Sequence, residues 1–129
     1  MQKEQKRLSD AELCIMQAVW HAGEAVTSGE IQQRLRGRLD WSLPALMTAL
    51  SRLCDKGYVY CDRSTRTNLY SALMAEEDYK RQESRSFLEK LYDNSVQNFV
   101  AALYDAKELS REDITELRAM LDAFEQGND

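Results

Sequence analysis

Thr48 and Arg52 stand one helical turn apart, with Met47 and Ser51 beside them, and this stretch is the best equipped in the chain to read another molecule. Residues four apart on a helix share a face. In the major groove of DNA a threonine touches a thymine methyl or exchanges hydrogen bonds with a base edge, while an arginine reaches guanine or phosphate. The plainer role for Arg52 is a solvated helix residue. Arg63 and Arg66 lie in a polar turn, where they would bring charge to phosphates or to the minor groove. Thr27 and Ser42 each stand where a helix begins, so their hydroxyls either bind phosphate beside free amides or simply cap. Trp41 has two roles open to it, lying along the sugar-phosphate backbone or anchoring a core. Arg34, Arg36 and Arg38 alternate at a helix end, as DNA contacts or as a solvated terminus.

Other chemistries lack their residues. There is one histidine, His21, and no GxSxG, HExxH or phosphate-binding glycine loop, so no enzyme constellation is visible. Cys14, Cys54 and Cys61 are odd in number and widely spaced, with no CxxC or CxC, which argues against a disulfide framework and against a compact zinc site. Their plain reading is as small buried hydrophobes; a thiol-sensing or metal-sensing regulator rests on them alone. No cofactor and no metal are expected. No apolar run approaches a membrane span, and the opening MQKEQKRLSD is too polar for a secretory core, so a cytoplasmic protein without membrane insertion is expected.

The net charge of −5 conceals a division. Residues 1–70 hold 10 Lys and Arg against 8 Asp and Glu, and residues 71–129 hold 7 against 14, so a head of +2 is joined to a tail of −7. A DNA reader with a separate assembly arm would be charged in this way.

The reading residues need elements to position them. Ser9-Asp10-Ala11-Glu12 is a capping box opening a helix that Gly23 stops, with Leu13, Met16 and Trp20 on one face and Ile15 and Val19 widening it. Thr27-Ser28-Gly29-Glu30 opens a second helix, through Ile31 and Leu35 to near Gly37. Ser42 caps a third, with Pro44 tolerated in its first turn and Leu46, Leu50, Leu53 and Cys54 as its apolar face up to Gly57. Tyr58–Cys61 and Thr67–Tyr70 are β-prone around a polar turn and predict a hairpin. Three helices and a hairpin make a winged helix-turn-helix, with the third helix as reader.

From Ala75 the pattern is helical throughout. Tyr79, Phe87, Leu88, Leu91 and Tyr92 mark one apolar stripe, Val96, Phe99, Val100 and Leu103 a second, and Ser110 caps a last helix carrying Ile114, Leu117, Leu121 and Phe124. The expected class is mainly α with a small β-hairpin: a winged-helix head over residues 1–74 and a helical dimerisation tail over 75–129. So short a tail barely closes a core alone, and its stripes are expected to meet a second copy or to fold back on the head.

With these elements placed, the chain resembles the penicillinase-repressor family over nearly its whole length. The resemblance is carried by Leu8-Ser9-Asp10-Ala11-Glu12 running to Met16, Val19-Trp20, Thr27, Glu30-Ile31, Trp41-Ser42, Thr48, Arg52-Leu53, Lys56-Gly57, Arg66 and Tyr70. In the tail it continues through Asp78-Tyr79, Glu83-Ser84, Phe87-Leu88, Leu109-Ser110, Asp113-Ile114 and Glu116-Leu117. The resemblance implies a homodimeric repressor on a palindromic double-stranded operator, control of β-lactam resistance genes, and release by proteolysis in a system with a membrane sensor-protease. It also implies a cleavage site at Asn98-Phe99, where similar repressors are cut at an Asn-Phe bond.

Two departures matter. Family members commonly carry Lys-Thr after the Trp-Ser pair; here Pro44 and Ala45 stand there, and a basic contact is lost. Copper-responsive relatives end in paired CxC motifs, and the segment from Asp122 to Asp129 has no cysteine, which disfavours a metal sensor. A winged-helix protein-interaction module that does not touch DNA is the alternative reading, since fold does not dictate function.

Overall fold

Each head helix begins where the sequence supplies a side chain to receive its orphan amides. In the computed structural model, which describes residues 7–127, α1 spans Asp10–Ala22, α2 Ser28–Arg34 and α3 Leu43–Asp55. At α1 the Glu12 N–H donates to Ser9 Oγ (3.2 Å) and the Ser9 N–H to Glu12 Oε1 (3.0 Å), while Gly23 ends the helix at φ 74°. Thr27 and Glu30 repeat the reciprocal pair at α2. Ser42 caps α3, with Pro44 in the first turn, where a missing N–H costs nothing. The residues read for a secretory core lie, up to residue 6, outside the described ones.

Strands β1 (Val59–Asp62) and β2 (Leu69–Ala72) form the hairpin, paired antiparallel as Val59 with Ala72 and Cys61 with Tyr70. The pairing sits one residue later than expected on the first strand and two on the second, which leaves residues 63–68 as the connecting turn. Val26 extends the sheet: its N–H donates to the Tyr70 carbonyl (2.9 Å) and the Tyr70 N–H to the Val26 carbonyl (2.7 Å).

Ile15, Met16, Ile31, Leu35, Leu46, Leu50, Leu53, Tyr58 and Val59 fill the head core. The inward face of α1 is centred on Ile15, Met16 and Val19, with Leu13 and Trp20 half-buried at its edges rather than at its middle. The Trp20 indole donates to the Met74 carbonyl at 2.8 Å, which satisfies a polar atom that would otherwise be stranded.

Helix α4 spans Glu76–Tyr92, and the division into two compact units, 1–83 and 84–129, falls within it. Tyr79 is therefore corrected as a dimerisation residue. It is 5% exposed, its ring lies 5.9 Å from that of Trp20 and 6.0 Å from that of Tyr58, and its hydroxyl accepts from the Leu8 N–H at 3.3 Å. It closes the head core and offers nothing to a second copy.

The second unit holds the rest of α4, α5 (Val96–Asp105) and α6 (Arg111–Glu125). Asp93 and Asn94, both at positive φ, turn the chain between α4 and α5, and Lys107 does so before α6. Phe87, Tyr92 and Phe99 form a ring cluster with centroids 5.5–5.7 Å apart. No described residue of this unit is fully buried, and none of its helices is long and apolar enough to cross a membrane.

Candidate nucleic-acid interface

Burial of Leu46, Ala49, Leu50 and Leu53 fixes which side of α3 looks outward. That side carries Leu43, Pro44, Ala45, Met47, Thr48, Ser51 and Arg52, all exposed. Thr48, Met47, Ser51 and Arg52 thus share a face, as their spacing predicts. The Thr48 hydroxyl donates to the Pro44 carbonyl at 3.1 Å, so it is engaged within the helix. The Arg52 guanidinium enters no ion pair among the described residues and is available to an outside anion.

The helix N-termini differ. The Ser42 hydroxyl accepts from the Ala45 N–H at 3.3 Å, and the first turn of α3 holds no carboxylate. The positive end of the helix dipole is therefore unneutralised at the end of α3 where Leu43, Pro44 and Ala45 are exposed. At Thr27 the hydroxyl both accepts from the Glu30 N–H (3.1 Å) and donates to Glu30 Oε1 (3.2 Å). Hydrogen bonds from the Thr27 N–H and hydroxyl hold the Glu30 carboxyl below the usual range. A negative charge thus stands at the start of α2, and the Thr27 hydroxyl is engaged in the cap.

Trp41 is half-buried against the core, and its carbonyl accepts from Gln32 Nε2 at 3.0 Å, so it anchors the approach to α3. Arg34 and Arg36 are solvated, while Arg38 is tied back to Gln17 and lies 3.8 Å from the Cys14 sulfur. That neighbour, distant in sequence, is absent from any local reading of Cys14.

The wing tip is braced by its own side chains. Asp62 Oδ1 accepts from both the N–H (2.9 Å) and the hydroxyl (2.6 Å) of Ser64, and these bonds hold its carboxyl below the ordinary value. Arg63 and Arg66 are exposed on this turn and make no ion pair among the described residues. Arg52 on α3 and Arg63 and Arg66 on the wing are thus exposed cations of the head with no ion pair among the described residues.

The three thiols are free and half-buried, short of the full burial expected. Burial pushes the Cys54 thiol up, which makes it a poor nucleophile. Among the described residues no cluster of His, Cys, Asp or Glu could hold a metal ion.

In the tail, Phe87, Leu91, Val96, Val100 and Leu121 are exposed, and Leu88, Phe99, Leu103, Ile114 and Leu117 are half-buried. Tyr104 and Met120 are exposed apolar residues that the stripe counting missed; Tyr104 stands one turn beyond Val100, a spacing that could have revealed it. Asn98 is exposed in the first turn of α5. Its N–H donates to Ser95 Oγ at 3.1 Å, and the Phe99 N–H donates to the Ser95 carbonyl at 3.2 Å.

Comparison with known proteins agrees with this geometry. The family model for the penicillinase repressor matches residues 8–123. The penicillinase repressor of Bacillus licheniformis is 30% identical over 116 residues, 90% of each chain. The methicillin resistance regulatory protein MecI of Mammaliicoccus sciuri is 28% identical over 88% of this chain and 92% of its own. Among solved structures, the monomeric form of Bacillus licheniformis BlaI in complex with the blaP half-operator matches 60% of this chain and 94% of its own, with 29% identity and a TM-score of 0.50. A winged head with an open α3, a hairpin wing and a helical tail, matched over almost its full length, belongs to the penicillinase-repressor family.

Proposed function

We propose that the chain is a transcriptional repressor that binds a palindromic operator as a homodimer. Membership of this family sets it among repressors and apart from enzymes. The observation that carries the proposal is the outward face of α3 with its uncommitted Arg52, flanked by the wing's Arg63 and Arg66, on a chain similar to one solved with a half-operator. In this reading α3 enters the major groove, the wing approaches the flanking backbone, and Ser42 presents the α3 amides to phosphate.

The tail supplies the second half of the reading. Leu91 is 63% exposed, Val96 60% and Phe124 58%, and a unit without a buried residue gains most by pairing its stripes with a second copy. The head is the DNA-binding domain and the tail the dimerisation domain, with the functional boundary after Glu83. Regulated genes of β-lactam resistance, and release by a sensor-protease cutting Asn98-Phe99, follow from the relatives' names and the matching dipeptide. Cutting there removes residues 99–129, most of the paired stripes, and with them the avidity of two linked heads, a factor of roughly 10²–10⁴.

The test is selection of bound duplexes from a random-sequence library, followed by affinity at two salt concentrations. A phosphate-driven reader loses log affinity with log salt at about −0.9 per phosphate neutralised. Failure to enrich any duplex overturns the proposal. It would favour the second reading, a head that docks a protein partner, for which the exposed Leu43 and Met47 on α3 and the net charge of −5 speak.

A further inference from the structure

The outward face of α3 is unusual for a surface meant to hydrogen-bond. Pro44 carries no N–H and only a ring, Ala45 offers a methyl, and Leu43 and Met47 expose apolar side chains, Met47 to 42%. Thr48 looks like a donor in sequence, yet its hydroxyl proton is given to the Pro44 carbonyl, which leaves it only an accepting oxygen and a methyl to offer outward. Side-chain hydrogen-bond donors on this face are left to Ser51 and Arg52, toward the C-terminal half.

We infer that α3 recognises thymine by apolar contact, with Pro44, Ala45, Met47 and the Thr48 methyl packing on the 5-methyl groups in the major groove. Thymine is the base that presents a methyl there, and the N-terminal half of a recognition helix is the part that meets base edges. The occupant is DNA and not a protein groove because of what surrounds the patch. The first turn of α3 is free of carboxylates, Arg52 lies one turn beyond Thr48, and Arg63 and Arg66 are exposed on the wing, none of the three in an ion pair among the described residues, so cations of the head remain available to phosphates beside a groove. This inference rests on the operator-binding reading and adds the chemistry by which the sequence is read.

The experiment uses the full-length chain and duplexes enriched from a random library. Each thymine of the enriched half-site is replaced by deoxyuridine, which removes the 5-methyl and nothing else. At one or more positions the replacement is expected to weaken binding about three- to fivefold, the worth of one buried methyl. Thr48→Ser, which deletes the methyl, is expected to lose about as much on thymine DNA and to become indifferent to deoxyuridine at its own position. Thr48→Val, which keeps a methyl in place and drops the hydroxyl, is expected to bind like the parent. Unchanged thermal unfolding of both variants excludes a folding defect. If duplexes bind but deoxyuridine has no effect at any position, or if Thr48→Val loses as much as Thr48→Ser, methyl recognition is overturned while operator binding stands. If no duplex is enriched, both fall, and the apolar face of α3 belongs to a protein partner.

Discussion

The Lys56 ammonium bonds both carboxylate oxygens of Glu12, at 3.0 and 2.8 Å, and so ties the C-cap of α3 to the first turn of α1. Glu12 does two jobs there, since the same carboxylate also closes the capping box on Ser9. Burial works to raise its pKa, but the hydrogen bonds from Lys56 and from the Ser9 N–H outweigh burial and leave it below the ordinary 4.5. A carboxyl depressed in the folded state contributes stability above its unfolded value and loses it as pH falls through the folded one. The melting temperature of the head should therefore drop as pH falls below about 4.5, and Glu12→Gln, which can still cap, should remove that component of the drop. At neutral pH the variant should cost about 1 kcal/mol, measured by denaturant unfolding.

Tyr79 decides where the head ends. A fragment of residues 1–83 should fold and sediment as a monomer, whereas one ending at Ala75 leaves the ring pocket between Trp20 and Tyr58 empty. Tyr79→Ala in the full chain should destabilise the head by about 3 kcal/mol, the range for deleting a buried aromatic side chain. Circular dichroism on heating separates these outcomes; a 1–75 fragment as stable as 1–83 would refute the placement.

Arg52 and Arg66 should fail in different ways. Arg52→Ala should cost about 1–3 kcal/mol on the best duplex and relax the preference at one base position. Arg66→Ala should weaken all duplexes alike and lower the salt slope by about one per protomer. Titrations of both variants at several salt concentrations read the difference directly.

Ser95 guards the proposed cut. The Asn98–Phe99 bond lies in the first turn of α5, and Ser95 holds that turn through its hydroxyl and its carbonyl. Ser95→Ala should weaken the cap by about 1 kcal/mol, raising the population of the frayed turn roughly fivefold. In producing cells exposed to a β-lactam, the variant should be cut faster, yielding a fragment that begins at Phe99. Sequencing the new N-terminus checks the site, and an immunoblot time course checks the rate; an uncut chain during derepression would remove proteolysis from the mechanism.

The chemistry of the caps made most of the head legible from sequence. Ser9, Thr27, Ser42 and Ser110 each act on an amide three residues away, so their role is written locally. The outward face of α3 was equally legible, because helical period alone sets Met47, Thr48, Ser51 and Arg52 opposite Leu46, Leu50 and Leu53. Tyr79 was not: its partners Leu8, Trp20 and Tyr58 are far off in the chain, and a tyrosine at helical spacing looks alike whether it faces its own head or a second copy. Nor was the Val26–Tyr70 bridge, since a single ladder rung leaves no alternating pattern. The Thr48 hydroxyl shows the limit most plainly, because sequence names a donor without saying that Pro44 has already taken it.

The Leu8–Tyr79 hydrogen bond spans 71 residues, and that separation orders events on the ribosome. The head cannot close its aromatic pocket until Tyr79 has cleared the exit tunnel, so Trp20 and Tyr58 gain their last ring neighbour only with the start of α4. At roughly 5–20 residues per second the rest of the tail follows within seconds. Each newborn molecule therefore closes its head while the end of its second unit is still being made.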